Sequence, residues 1–159
     1  MHQTHNTLPE AIRAQSVEIL NKHLAASIDL QGQVKQAHWN VRGPGFIAVH
    51  ELFDKVAEAV EAISDQLAER AAGLGGTAQG TIQVAVAQSF LVPYPHGIAD
   101  TTKHMFAVAS SLAAFGQSTR EGIGRITKFG DADTADLFTE ISRGIDQQLW
   151  FIEAHVMPK

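Results

Sequence analysis

The chain has 159 residues, enough for one domain with a sizeable core and too few for two. At 45% hydrophobic and 18% charged it is globular rather than disordered, and the absence of cysteine excludes disulfide frameworks, zinc ribbons and thiol nucleophiles. A net charge of −5 argues against a general electrostatic footprint for nucleic acid, while eight histidines raise the question of metal binding.

Met1 to Pro9 has neither an apolar segment nor a basic start, so it reads as a short tail (about 1–8) and not as a secretory signal. Apolar runs such as Val84 to Ala87 are far shorter than a bilayer span, so no membrane role and a cytoplasmic location are expected. The first helix is predicted from Leu8 to about Asn40, with Ile12, Val17, Leu20, Leu24, Ile28 and Val34 on its apolar face. Pro9 suits its start, and Arg42-Gly43-Pro44-Gly45 stops it. A second helix runs from Phe46 to about Leu74, with Phe46, Val49, Phe53, Val56, Val60, Ile63 and Leu67 on one stripe. Residues 77–97 are irregular, and Thr81-Ile82-Gln83-Val84 fits either a short helix or an extended piece. A third long helix is predicted from about Ile98 to Phe129, and a fourth from near Asp133 to about Val156. The whole chain, 1–159, is thus expected to be one all-α four-helix bundle with a long crossover between the second and third helices.

The second helix carries two pairs four residues apart, His50 with Asp54 and Asp65 with Glu69. That spacing puts each pair on one face, one turn apart, as two ligands of one ion require. Eleven residues separate Asp54 from Asp65, three turns plus about 20°, so the pairs share a face but lie about 16 Å apart along the axis. One chain cannot bring both to one ion. Two antiparallel copies meeting near Ala59 and Val60 could, forming two equivalent sites roughly 22 Å apart. A solvated acidic face is the alternative for each pair. His38, beside Trp39 and twelve residues before His50, supplies a further ligand if the turn folds the first helix back on the second.

His38-Trp39-Asn40, His50 with Asp54, and Asp65 with Glu69 resemble the ferroxidase signature of the Dps mini-ferritins, the DNA-binding proteins from starved cells. The C-terminal run Asp133-Thr134-Ala135-Asp136, then Ser142-Arg143, Asp146 and Leu149-Trp150-Phe151-Ile152-Glu153, is similar to that family too. The resemblance covers nearly the whole chain, from about Ile19 to His155. It implies a ferritin-like subunit assembling into a hollow dodecamer, with iron sites between two-fold related subunits. His38, His50 and Asp54 would come from one subunit, and Asp65 and Glu69 from its neighbour. The implied activity is an enzymatic one: oxidation of Fe(II), with hydrogen peroxide preferred over dioxygen, and storage of ferric oxide in the cavity. Two imidazoles and three carboxylates suit iron, with zinc or manganese as surrogates. The resemblance also implies negatively charged pores for incoming iron around Asp133 and Asp136, with Asp131 as a further candidate pore residue and Glu140 nearby. Helix capping is the other reading of Asp131 and Asp133. Glu51 is a candidate for mineral nucleation, with Glu58 and Glu61 weaker ones, and Trp39 a candidate redox neighbour of the iron site.

Other patterns fail on context. His50-Glu51-Leu52-Phe53-Asp54 lacks the second histidine of a zinc-protease helix. Gly73-Leu74-Gly75-Gly76-Thr77-Ala78 follows a helix, not the strand a dinucleotide site needs. Asp131-Ala132-Asp133 lacks the later ligands and glycine of a calcium loop. No Glu-x-x-His occurs, which argues against an iron site inside one bundle. His2, His5, His23, His96, His104 and His155 are assigned to surface or packing. The alternative function, a DNA-binding, chromatin-compacting protein with secondary metal sites, would need a basic arm. The first 21 residues hold only Arg13 as a fixed cationic side chain, so DNA binding at neutral pH is not expected; protonated His2 and His5 could add weak attraction in acid.

Overall fold

The computed structural model describes residues 1–156. Four long helices with apolar stripes bury them against one another: α1 (Glu10–Asn40), α2 (Phe46–Gly73), α4 (Thr101–Phe129) and α5 (Ala132–Val156). A short helix, α3 (Ile82–Gln88), lies in the crossover and settles the open reading of that segment as helical. Thr81 caps it by accepting from the Val84 N–H. No strand occurs among the described residues, and no helix there is long and apolar enough to cross a membrane.

α1 and α2 form one antiparallel hairpin, α4 and α5 the other, with α1 also packed on α3 and α4. The crossover returns the chain to the α1–α2 turn, where the backbone of Arg42 meets that of Asp100 and its N–H donates to Ala99 at 3.0 Å. α4 therefore starts beside that turn and runs parallel to α2. The Asp100 side chain caps α4 by accepting from the Lys103 N–H, which starts the helix at Thr101 instead of Ile98. The turn itself needs Gly45, whose φ of 73° is the left-handed conformation that disfavours a side chain. Gly122 is needed for a different reason: a Cβ there would come within 2.8 Å of the Phe138 ring, so its absence lets α4 and α5 close together.

The core runs the length of the bundle through Leu20, Leu30, Phe53, Leu67, Leu112, Phe115, Ile126, Phe138, Ile141 and Ile145, all buried. Each such side chain contributes roughly 1.5–3 kcal/mol on burial. Two expected stripes need correction. On α1, Ile12, Val17 and Ile28 are only partly buried, and on α2, Phe46 is exposed. α1 is packed on several sides, so its buried surface includes Ser16, Asn21, His23, Ser27 and Gln33. These polar groups are satisfied across the bundle: Asn21 donates to Thr77 and accepts from the Gln79 N–H, while Gln33 donates to Val92 and accepts from Ser111. They pin the crossover to α1 where apolar burial is thin.

Candidate metal centre

The α1–α2 hairpin brings His38 and His50 face to face, with ring centroids 3.7 Å apart and planes 20° from parallel. Each ring is locked by the other helix: His38 Nδ1–H donates to the His50 carbonyl at 2.8 Å, and His50 Nδ1–H to the His38 carbonyl at 2.9 Å. With both Nδ1 atoms protonated, each neutral ring keeps its lone pair on Nε2. Neither Nε2 has a protein partner among the described residues, and neither is buried as an orphan. A fixed tautomer with a free, reachable nitrogen is the form in which imidazole binds a metal. Phe46 flanks His50 at 5.0 Å between ring centroids.

Asp54 lies one turn beyond His50, its Oδ1 3.9 Å from His38 Nδ1. The nearer partner is Lys35, whose ammonium donates to the same oxygen at 2.6 Å. That hydrogen bond, and the charge behind it, hold the Asp54 carboxyl below its ordinary pKa. Lys35 was not legible as a site residue from motif spacing, although its place one turn before His38 puts it on the same face of α1. Trp39 projects to solvent, 68% exposed, with the Lys35 ammonium 5.9 Å from its ring centroid.

Asp65 and Glu69 are exposed on α2 and have no hydrogen bond or ion pair among the described residues. Asp65 borders a shallow groove between α1 and α2 with Leu24, Ile28, Glu58 and Glu61. Asp65 follows Asp54 by eleven residues on α2, three turns or about 16 Å of helical rise, and Glu69 lies one turn further on. Among the described residues no three His, Asp or Glu side chains of one chain converge closely enough to hold an ion. The chain thus presents two partial sets of donors: a rigid histidine set and an unpartnered carboxylate pair.

At the start of α5, the acidic residues separate by role. Asp131 was a candidate pore residue; it is fully buried and caps α5 instead, so its carboxylate cannot face a channel. Its oxygens accept from Ser16 and Thr134 hydroxyls, each at 2.6 Å, from the Thr134 N–H at 3.1 Å and from Arg70 Nη2 at 2.9 Å. Burial alone pushes its pKa up, but these donors and the Arg70 guanidinium outweigh burial and leave it below the ordinary value. Arg70, adjacent to Glu69, thereby ties the carboxylate end of α2 to α5. Asp133 is 85% exposed, and Asp136 and Glu140 are exposed on the turns that follow. Glu51, Glu58 and Glu61 are exposed on α2.

The remaining histidines include two buried ones. His23 donates from Nδ1 to the Ile19 carbonyl, lies 3.2 Å from the Ser118 hydroxyl and packs edge-on against Phe90, Phe115 and Phe138. His104 shares a 2.6 Å hydrogen bond with the Tyr94 hydroxyl, and its Nε2 is buried without a partner. Burial lowers both pKa values. His2, His5, His96 and His155 are exposed. The N-terminal tail lies against the end of α2: the His2 N–H donates to Gly75 at 2.7 Å, and the Arg13 guanidinium donates to Leu8 and Leu74.

Two helical hairpins joined by a long crossover, with histidine and carboxylate donors on α1 and α2, define a ferritin-like protein. The family model described as a ferritin-like domain matches residues 17–157. Within that class the chain belongs to the Dps family. It is 42% identical to a DNA protection during starvation protein of Agrobacterium fabrum, over 99% of this chain and 98% of that protein. The fold agrees with a Mycobacterium smegmatis Dps structure at a TM-score of 0.91 and 29% identity, over 96% of this chain and 93% of that one. A Microbacterium arborescens Dps structure in a high iron form gives a TM-score of 0.87 at 30% identity, over 96% and 98% of the two chains.

Proposed function

We propose that this protein is an iron-storing ferroxidase whose site is completed by two subunits. His38, His50 and Asp54 of one chain and Asp65 and Glu69 of its two-fold mate would hold ferrous iron as substrate. The observation that carries this reading is the reciprocal lock of His38 and His50, which leaves both Nε2 atoms free as metal donors. The bare carboxylates of Asp65, about 16 Å along the same helix from Asp54, and of Glu69, one turn beyond it, are the complementary half. Together they form a nitrogen and oxygen set suited to Fe(II), with zinc or manganese able to substitute.

In this reading each ferrous ion gives one electron, and the peroxide O–O bond takes the pair and breaks. Protons leave to bulk as ferric oxide-hydroxide forms. The imidazoles hold the ferrous state, and the hard carboxylates favour the ferric product. Peroxide is the preferred oxidant, and Trp39, next to His38, is placed to intercept a one-electron leak. The subunits close into a dodecameric shell in the cytoplasm, with Asp133 and Asp136 at the pores and Glu51 nucleating mineral inside. Direct DNA binding at neutral pH does not belong to this reading, because the tail is held against α2 and Arg13 is occupied by Leu8 and Leu74. The name of the Agrobacterium fabrum relative, DNA protection during starvation protein, fits removal of iron and peroxide as well as it fits contact with DNA.

The test is anaerobic loading with Fe(II), addition of hydrogen peroxide and measurement of ferric absorbance, with particle mass determined in parallel. Wild type should oxidise iron as a dodecamer, and a variant carrying Asp65→Ala and Glu69→Ala should lose at least about 100-fold in rate. Equal rates in the two proteins, or a monomeric wild type, would overturn the reading.

A further inference from the structure

The site already contains a cation. Lys35 sits on Asp54 Oδ1 at 2.6 Å, the shorter of the two contacts to that oxygen and the dominant influence on the carboxylate. Asp54 Oδ2 has no protein partner among the described residues. A carboxylate in this state can offer one oxygen to an incoming ion, but the second is in use. Lys35 also has a second resting place. Trp39 follows it by four residues on α1, and the ammonium already lies 5.9 Å from the indole centroid. An aromatic face at that distance attracts an ammonium without a counter-anion. Both Lys35 and Asp54 are partly exposed, so their ion pair is weak enough to be broken by a divalent ion.

We propose that Lys35 is a tethered place-holder on Asp54, which must move off Oδ1 before the last metal ion can bind, so that the site loads stepwise. The first ion would use the free donors, His38 and His50 Nε2, Asp54 Oδ2 and the mate's carboxylates. The second ion competes with Lys35 for Oδ1, and the displaced ammonium shifts towards the Trp39 ring. Lys35 is here a positioning residue: it touches a ligand and sets how strongly the second ion is held. The proposal rests on the two-subunit metal reading above.

Zinc, which undergoes no redox step, is the probe. Assembled wild-type protein and the Lys35→Met and Lys35→Arg variants are titrated with Zn(II) by calorimetry at physiological ionic strength. All carry Trp150→Phe, an exposed position, so that Trp39 is the sole tryptophan reporting by fluorescence. Wild type should show a tight and a weak class of zinc, with Trp39 emission changing as the weak class fills. Lys35→Met should strengthen the weak class by at least about tenfold, because a unit charge a few ångströms from a divalent ion is removed, and should abolish that emission change. Lys35→Arg, which keeps the charge, should retain two classes. A weak class unchanged or weakened in Lys35→Met, or the same emission change without the lysine, would overturn the place-holder role while leaving the metal site intact. No zinc binding by any of the three proteins would instead overturn the two-subunit metal reading on which it rests.

Discussion

The two halves of the candidate metal centre lie on one face of one helix, yet they are built differently. The His38–His50 half is finished inside the chain: rings stacked at 3.7 Å, tautomers set by opposing carbonyls, and a charge partner on Asp54. The Asp65–Glu69 half has only spacing, with two exposed carboxylates and no partner among the described residues. Rigidity is needed on the imidazole side only. Imidazole has one usable lone pair in one plane, so it must be aimed by a second hydrogen bond, whereas a carboxylate accepts from a wide range of directions and needs only to be carried to the ion.

The sharpest way to break this comparison is to separate the halves. One variant carries His38→Ala and His50→Ala, another Asp65→Ala and Glu69→Ala; each alone should lose at least about 100-fold in peroxide-driven iron oxidation. Shells reassembled from an equal mixture should recover part of the rate, because an intact half from each variant can meet at a two-fold interface. Failure of the mixture to exceed its components, with co-assembly confirmed by mass, would mean that the halves do not share an ion.

A second prediction concerns what holds the carboxylate half in place. Asp131→Ala leaves the Arg70 guanidinium beside Glu69 without its buried anion and strips the cap from α5. Breaking a buried pair from one side costs about 3–5 kcal/mol, so thermal unfolding should move down by about 10 °C. Calorimetry checks this, and an unchanged midpoint would show that Arg70 and Thr134 re-pair at no cost. The same carboxylate links stability to pH. Its folded pKa lies below the unfolded value, so its contribution is present above about pH 4 and is lost as pH falls through the lower folded value.

The weakest effect separates the candidate metal-binding histidines from the packed ones. His23 and His104 are buried and harder to protonate folded than unfolded, and Lys22 and Arg125 add to this at His23. The unfolded chain therefore takes up more protons below about pH 6.5, and stability should decline from there towards the lower folded pKa values. The melting midpoint should drop by roughly 3–6 °C between pH 7.5 and 5.5. His23→Gln should flatten that slope even if its midpoint at neutral pH is lower. A slope unaffected by this change would assign the acid sensitivity elsewhere.

Much of this was legible in one dimension because helices are periodic. The α2 stripe of Val49, Phe53, Val56, Val60, Ile63 and Leu67 is read directly from 3.6-residue spacing, and all six are buried. The same periodicity placed His50, Asp54, Asp65 and Glu69 on one face and excluded a one-chain site. The α1 stripe was less legible. That helix is packed on several sides, so polar residues such as Asn21 and Gln33 are buried and answered by crossover groups 56–59 residues away and by Ser111 of α4, 78 residues away. Asp131 shows the same limit. An aspartate before a helix fits a cap or a pore equally well until Ser16 and Arg70, 115 and 61 residues distant, close on it.

The sequence alone was enough for the four long helices, their breaks at Gly43-Pro44-Gly45 and Gly73 to Gly76, and a donor spacing too wide for one chain to close on a single ion. These depend on local propensity and helical rise, which distant residues do not alter. Only the tertiary structure decided which ring nitrogens are free, that Lys35 already holds Asp54, and that Asp131 is structural while Asp133 is exposed. Each of these turns on hydrogen-bond partners from another helix, and a hydrogen bond a few ångströms long is set by packing, not by separation along the chain.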